Sequence, residues 1–141
     1  KYNIENVLTK ILENNPEKNW VCLQGEIIGP GIQKNPLDMQ SHTLNLFNLI
    51  VDGERWPSDV GKVFSDSRGI PWVPILGCTT LPNNMDDMKA QADGYSYLND
   101  KKLREGIVYR SLDGKDSFKN VSNEYLLHQG KLKPKKVSAN E

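Results

Sequence analysis

Two strand-forming runs joined by an aperiodic polar stretch constrain this chain's fold more than any other feature. Trp20 to Ile28, Trp-Val-Cys-Leu-Gln-Gly-Glu-Ile-Ile, is rich in strand formers and stops at the turn signal Gly29-Pro30-Gly31. Residues 32 to 42 show no clear period, and Thr43 to Val51 then reads as a second, largely buried strand. Alternation along the first run puts Gln24 and Glu26 on one face. Before this pair, Ile4, Val7, Leu8, Ile11 and Leu12 form one apolar helix stripe that closes ahead of Pro16. After it, Asp52-Gly53 signals a turn, and Pro57 to Gly69 fits a short helix with Val60, Val63 and Phe64 inward. Trp72 to Leu76 is a short extended piece, and Asn84 to Ala92 fits another helix. Glu105 to Arg110 and Asp116 to Val121 read as strands around an Asp113-Gly114 turn. The chain therefore alternates α and β elements, with no internal repeat and no dividing linker.

The bulk properties narrow the options. With 141 residues, one core is expected, and about 70% of the unfolded surface can be buried at this size. Lysine plus arginine equals aspartate plus glutamate at 18 each, so any polyanion site must be local. No apolar run approaches the roughly 20 residues of a membrane span, and a soluble, cytoplasmic protein without a membrane partner is expected. Cys22 and Cys78 lie outside any C-x-x-C pair and predict free thiols, not a zinc site or a disulfide framework. Lys1, in place of methionine and directly before a helical pattern, suggests an excised or truncated piece. From Gln129 the composition shifts: Lys131, Lys133, Lys135 and Lys136 occur without an acid until Glu141, as in a loose basic tail.

Three clusters put charge on or beside strands: Gly25-Glu26-Ile27-Ile28-Gly29-Pro30-Gly31, then Glu105-Gly106-Ile107-Val108-Tyr109-Arg110, then Ser117-Phe118-Lys119. A carboxylate buried alone among apolar residues costs several kcal/mol and seeks a cation, a metal or a hydroxyl. Two such acids and one lysine converging would suit a nucleotide, with acids for ribose hydroxyls and Mg²⁺ and the ammonium for a phosphate. Structural readings compete at each position. Phe47 lies among Leu44, Leu46, Leu49 and Ile50 and could be core; Glu105 could belong to a turn, and Arg110 could be a surface partner of Asp113 or Asp116. Lys119 could be a solvated strand lysine. His42 and His128 lack metal-ligand spacing and read as structural or exposed. Gly29-Pro30-Gly31 is not a phosphate loop, because no Gly-Lys-Ser/Thr follows and proline removes an amide donor.

At these residues the chain, from Trp20 to Leu127, resembles the covalent nucleotidyltransferase superfamily of DNA ligases, RNA ligases and capping enzymes, and is most similar to ATP-dependent RNA ligases. Gly25-Glu26-Ile27-x-Gly29-x-Gly31 resembles the family's third motif, which implies that Glu26 engages the adenosine ribose. Phe47 in Leu46-Phe47-Asn48 resembles the aromatic that stacks on adenine. Glu105-Gly106-Ile107-Val108-x-Arg110 resembles the fourth motif, with Glu105 near the metal. Ser117-Phe118-Lys119 resembles the fifth, with Lys119 on the α-phosphate, although Ser117 stands where the superfamily often has a first lysine. The first motif, Lys-x-Asp-Gly, is missing: the Asp-Gly pairs at Asp52, Asp93 and Asp113 follow Ile50, Gln91 and Ser111 two residues earlier.

The resemblance implies an α+β, mixed α/β fold. A twisted, mainly antiparallel sheet with flanking helices would carry Glu26, Phe47, Glu105 and Lys119 on the walls of an ATP cleft, as in an ATP-grasp-like ligase domain. Residues 1–128 would form a partial nucleotidyltransferase domain and 129–141 a basic, flexible tail. ATP and Mg²⁺ or Mn²⁺ are the implied cofactors. The implied partners are RNA or an RNA-containing nicked duplex and a missing N-terminal part of the same domain carrying the nucleophilic lysine. Without that lysine the chain should be inactive alone. A non-catalytic nucleotide- or RNA-end-binding module, and a DNA ligase or capping-type relative, are the alternatives.

Overall fold

The computed structural model describes residues 1–130. The basic stretch after Gly130 and its expected flexibility lie outside the described residues. Element order is α1 (Ile4–Asn14), β1 (Val21–Ile28), β2 (Thr43–Val51), β3 (Glu54–Arg55), α2 (Ser58–Ser67), α3 (Met85–Ala92), β4 (Gly106–Arg110), β5 (Ser117–Val121) and α4 (Asn123–His128). The described residues form two compact units: 1–76 with 110–117, and 77–109 with 118–130. The fold is the mixed α and β one expected, with the antiparallel sheet β1-β2-β3 and a second, separate sheet β4-β5 where a single sheet was expected.

In the first unit, β1 and β2 pair antiparallel from Val21↔Val51 to Ile28↔Thr43. The Asp52-Gly53 turn, with both residues at positive φ, returns the chain into the two-residue β3. Asp52 also accepts backbone N–H groups from Asn19 (2.9 Å) and Trp20 (3.0 Å), tying the entry of β1 to the exit of β2. The core lies on one face of this sheet. Leu46, Leu49 and Val51 pack with Val7 and Ile11 of α1 and with Ile70 and Trp72, and Val21, Leu23 and Leu44 close around them. Of the stripe read from the sequence, helix α1 buries Val7 and Ile11 and packs Ile4 against the core, while Leu8 and Leu12 are half-buried.

Helix α2 presents a different face from the one expected. Val60 and Val63 are 43% and 70% exposed, whereas Gly61 and Ser65 are buried and Phe64 packs at the margin of the core. The reason is Trp72: its ring lies so close over Gly61 that an added Cβ would overlap it. The hydroxyl of Ser65 is satisfied by the Ile70 carbonyl. Small residues, not the valines, therefore define the packed face.

β4 and β5, most of whose residues belong to the second unit, form a hairpin whose base is closed by Ser122 N–H to the Glu105 carbonyl (2.8 Å). Tyr109 and Phe118 stack across it, centroids 4.9 Å apart, an offset aromatic pair of the kind that adds about 0.5–1.5 kcal/mol. Helix α3 starts with the Asn84 side chain accepting from Asp87 N–H. It ends on Arg104, whose guanidinium donates to the carbonyls of Gln91 (2.6 Å), Ala92 (3.0 Å) and Asp93 (2.7 Å). A cation on the last carbonyls satisfies acceptors that the helix leaves open. Among the described residues, no helix is long and apolar enough to cross a membrane.

Candidate functional site

Glu26 stands on the sheet face opposite the core. The register pairs Leu23 with Leu49 on the core side, Gln24 with Asn48 and Glu26 with Asn45 on the other. The shared face of Gln24 and Glu26 follows from strand alternation, and Asn48 Nδ2 donates to Gln24 Oε1 at 2.7 Å on it. The carboxylate of Glu26 is exposed and makes no hydrogen bond or ion pair to the described residues. Its neighbour must be glycine, since a Cβ at Gly25 would sit 2.7 Å from the Asn45 carbonyl oxygen.

Phe47 occupies an irregularity in β2. Gln24 pairs with Asn48 and Gly25 with Leu46, so the ladder passes over Phe47 and a β-bulge forms there. The sequence demands it. Leu44, Leu46, Leu49 and Val51 all point into the core, and the three-residue step from Leu46 to Leu49 cannot keep one face in a strand of period two unless one residue is extra. Phe47 is half-buried and lies outside the cluster of side chains that forms that core. On either side of it, Asn45 Nδ2 and Asn48 Oδ1 are buried without a hydrogen-bond partner among the described residues. An unmet buried polar atom costs about 1–3 kcal/mol. Neither asparagine stood out in the sequence.

Arg110 does not pair with Asp113 or Asp116. Its guanidinium donates to the Phe47 carbonyl at 2.6 Å. Burial, and secondarily the nearby Arg55, push its pKa below the ordinary arginine value; it stays charged all the same. Arg55 is spent on the carbonyls of Gly114 (2.6 Å) and Lys115 (3.0 Å).

In the second unit the other two candidates meet. Lys119 Nζ lies 2.5 Å from Glu105 Oε1, on the hairpin's open surface, with the side chains 51% and 56% exposed. Gly106 lets the strands close at that point, because a Cβ there would overlap the Asn120 carbonyl. Arg104 anchors the residue before Glu105 to the end of α3. An exposed pair of this kind contributes about 0–1 kcal/mol. Among the described residues no three metal-ligating side chains gather. A single carboxylate still fits Mg²⁺ or Mn²⁺, which commonly take one or two protein carboxylates and fill the remaining positions with phosphate oxygens and water.

His42 is exposed and bonds the Pro30 carbonyl through Nε2 (2.7 Å), a structural role, and His128 is exposed in α4. Cys22 and Cys78 are free.

Comparison with known proteins identifies the class. The RNA ligase family profile matches residues 1–122, and the chain belongs to the RNA ligase family. Among solved structures it is similar to a Naegleria gruberi RNA ligase with PPi, at 30% identity and a TM-score of 0.77 over 93% of this chain and 40% of that one. A mutant of the same ligase with ATP and Mn gives 32% identity and a TM-score of 0.74 over 87% of this chain and 39% of that one. Another, with AMP and Mn, gives 30% identity and a TM-score of 0.75 over 90% and 39%. The chain thus spans about two fifths of the length of these structures. No curated protein matches.

Proposed function

We propose that the chain is part of an ATP-dependent RNA ligase that joins 5′-phosphate and 3′-hydroxyl ends. The observation that carries the reading is the contact between Lys119 and Glu105, which brings the resembled fourth and fifth motifs within 2.5 Å on one hairpin. In this reading Glu26 engages the adenosine ribose and Phe47 stacks on adenine. Glu105 holds Mg²⁺ or Mn²⁺, and Lys119 contacts the α-phosphate. The unmet donor of Asn45 and acceptor of Asn48 beside Phe47 suit a ligand with both kinds of group, as a purine has.

The reaction would run in three displacements. A lysine amine attacks the α-phosphorus of ATP, loses its proton and expels pyrophosphate. A 5′-phosphate oxygen then takes the AMP from lysine, and finally a 3′-hydroxyl attacks that phosphate and expels AMP. Charge spreads over the transferring oxygens in each step, and a fixed ammonium stabilises it. The metal would supply further charge neutralisation when bound. Because the 141 residues contain no Lys-x-Asp-Gly, the nucleophile must come from elsewhere, and we infer that this chain alone does not adenylylate itself. RNA, ATP and AMP are the partners. Residues 1–128 form part of the nucleotidyltransferase domain.

The test is incubation of this chain, and of the full-length protein, with Mg²⁺ and ATP labelled on the α-phosphate. Label is expected on the full-length protein alone, and it should disappear in Glu26→Ala with the melting temperature little changed. No label on either protein would replace the reading by a non-catalytic nucleotide- or RNA-end-binding module, which the missing motif favours. Sealing of all-DNA nicks in preference to RNA-containing ones would indicate a DNA ligase relative.

A further inference from the structure

We propose that Arg110 is a positioning residue which locks the bulge at Phe47 and thereby holds the aromatic ring away from the core, where it is available to a base. This inference rests on the reading of Phe47 as the adenine-stacking residue. Four observations in the first unit carry it. The β1 register skips Phe47. Its carbonyl accepts from the Arg110 guanidinium at 2.6 Å. Among the described residues Arg110 has no carboxylate partner, the only ion pairs being Lys62–Asp66 and Lys119–Glu105. Asn48, the next residue, is held to Gln24 on the sheet's non-core face.

A bulge residue is the least restrained part of a ladder. If the extra residue moved from Phe47 to a neighbour, the side chains between Leu46 and Leu49 would change faces, since a one-residue slip inverts every orientation it passes. Two contacts oppose that slip: Asn48 on one side through Gln24, and Arg110 on the carbonyl of Phe47 itself. An arginine suits the task because its donors form a rigid fork that stays charged when half-buried. A half-buried cation with no acid beside it, donating to a neutral carbonyl, is otherwise a costly arrangement.

The experiment is a double-mutant cycle in the full-length protein, reading ATP affinity and the KM and kcat of self-adenylylation for Phe47→Leu, Arg110→Gln and the pair. Arg110→Gln is expected to weaken ATP binding about tenfold, raising KM far more than it lowers kcat. If Arg110 acts through Phe47, the pair will bind ATP no more weakly than Phe47→Leu alone. Arg110→Lys, which keeps the charge and one donor, should recover part of the loss, and it carries the same cycle should Arg110→Gln not fold. Additive losses would overturn the inference while leaving Phe47 as the stacking residue. A fall in kcat at unchanged KM would overturn it by placing Arg110 at the reacting phosphates. Unchanged ATP binding in Phe47→Leu would instead refute the stacking reading on which the inference stands.

Discussion

The two units prepare their candidate groups by opposite means. In the first, Phe47 and Glu26 stand on a sheet whose reverse face is a packed core, and the aromatic is fixed by backbone irregularity, a bulge forced by Leu46 and Leu49 and tied down by Arg110. In the second, Glu105 and Lys119 sit exposed on a short hairpin and are fixed chiefly by each other. A flat aromatic ring needs a defined plane, which a buried scaffold supplies. In the roles proposed for them, charges that engage metal and phosphate need to be released from one partner to another, and a weak solvent-exposed pair allows the exchange at little cost.

The contrast breaks if the exposed pair is merely structural, and exchanging its two charges tests that directly. The Glu105→Lys/Lys119→Glu double variant restores opposite charges at the same positions. It should therefore melt within a few degrees of wild type. Self-adenylylation by the full-length protein is nevertheless expected to fall by at least about a hundredfold, the order found when a preorganised charge-stabilising group is lost. Retained activity would show that only the pairing matters.

Most strands were legible from composition because β-branched and aromatic runs between turn signals leave few alternatives, and the stripe from Ile4 to Leu12 dictated α1 for the same kind of reason. The two-residue β3 and the single turn and a half of α4 carry too few residues for a period to register. The buried face of α2 was misjudged because hydrophobicity points to Val60 and Val63, whereas the packing is decided by the room Gly61 leaves for Trp72. At the candidate site, the charged clusters singled out Glu26, Glu105 and Lys119, and the direct contact of the last two needed the hairpin register. The bulge at Phe47 was readable in principle, from the 2-3-2 spacing of Leu44, Leu46, Leu49 and Val51. Its tie to Arg110 joins residues 63 positions apart and has no local signature. The same holds for Arg104, whose three carbonyl acceptors appear only once α3 ends beside it.

The dependence of the first unit on close packing can be sharpened with Gly61→Ala. The added methyl group meets the buried Trp72 ring, which has nowhere to go without disturbing Leu46 and Ile70. Overpacking of this kind costs about 1–3 kcal/mol, enough to lower the melting temperature by several degrees. Lys119 and Glu105 lie in the other unit, so the contact between them should survive below the transition. A melting temperature equal to wild type would mean that the Trp72 ring is less constrained than its burial implies.

The smallest effect is a pH dependence that also separates the units. The carboxylates held below the ordinary range, Asp52 by the backbone N–H groups of Trp20 and Asn19 and Asp113 by the Ser111 hydroxyl and the Lys115 N–H, both belong to the first unit. A carboxylate whose pKa is lower folded than unfolded stabilises the fold above its unfolded pKa, and that contribution disappears as pH falls through the folded value. At neutral pH Asp52→Asn should therefore be slightly less stable than wild type, because a neutral amide accepts the two N–H groups less strongly than an anion does. Thermal melts taken from about pH 7 downward should show the two proteins approaching one another as Asp52 becomes protonated in the folded state. A constant difference across that range would mean that the charge on Asp52 contributes nothing and that only the shape of its side chain holds β1 to the end of β2.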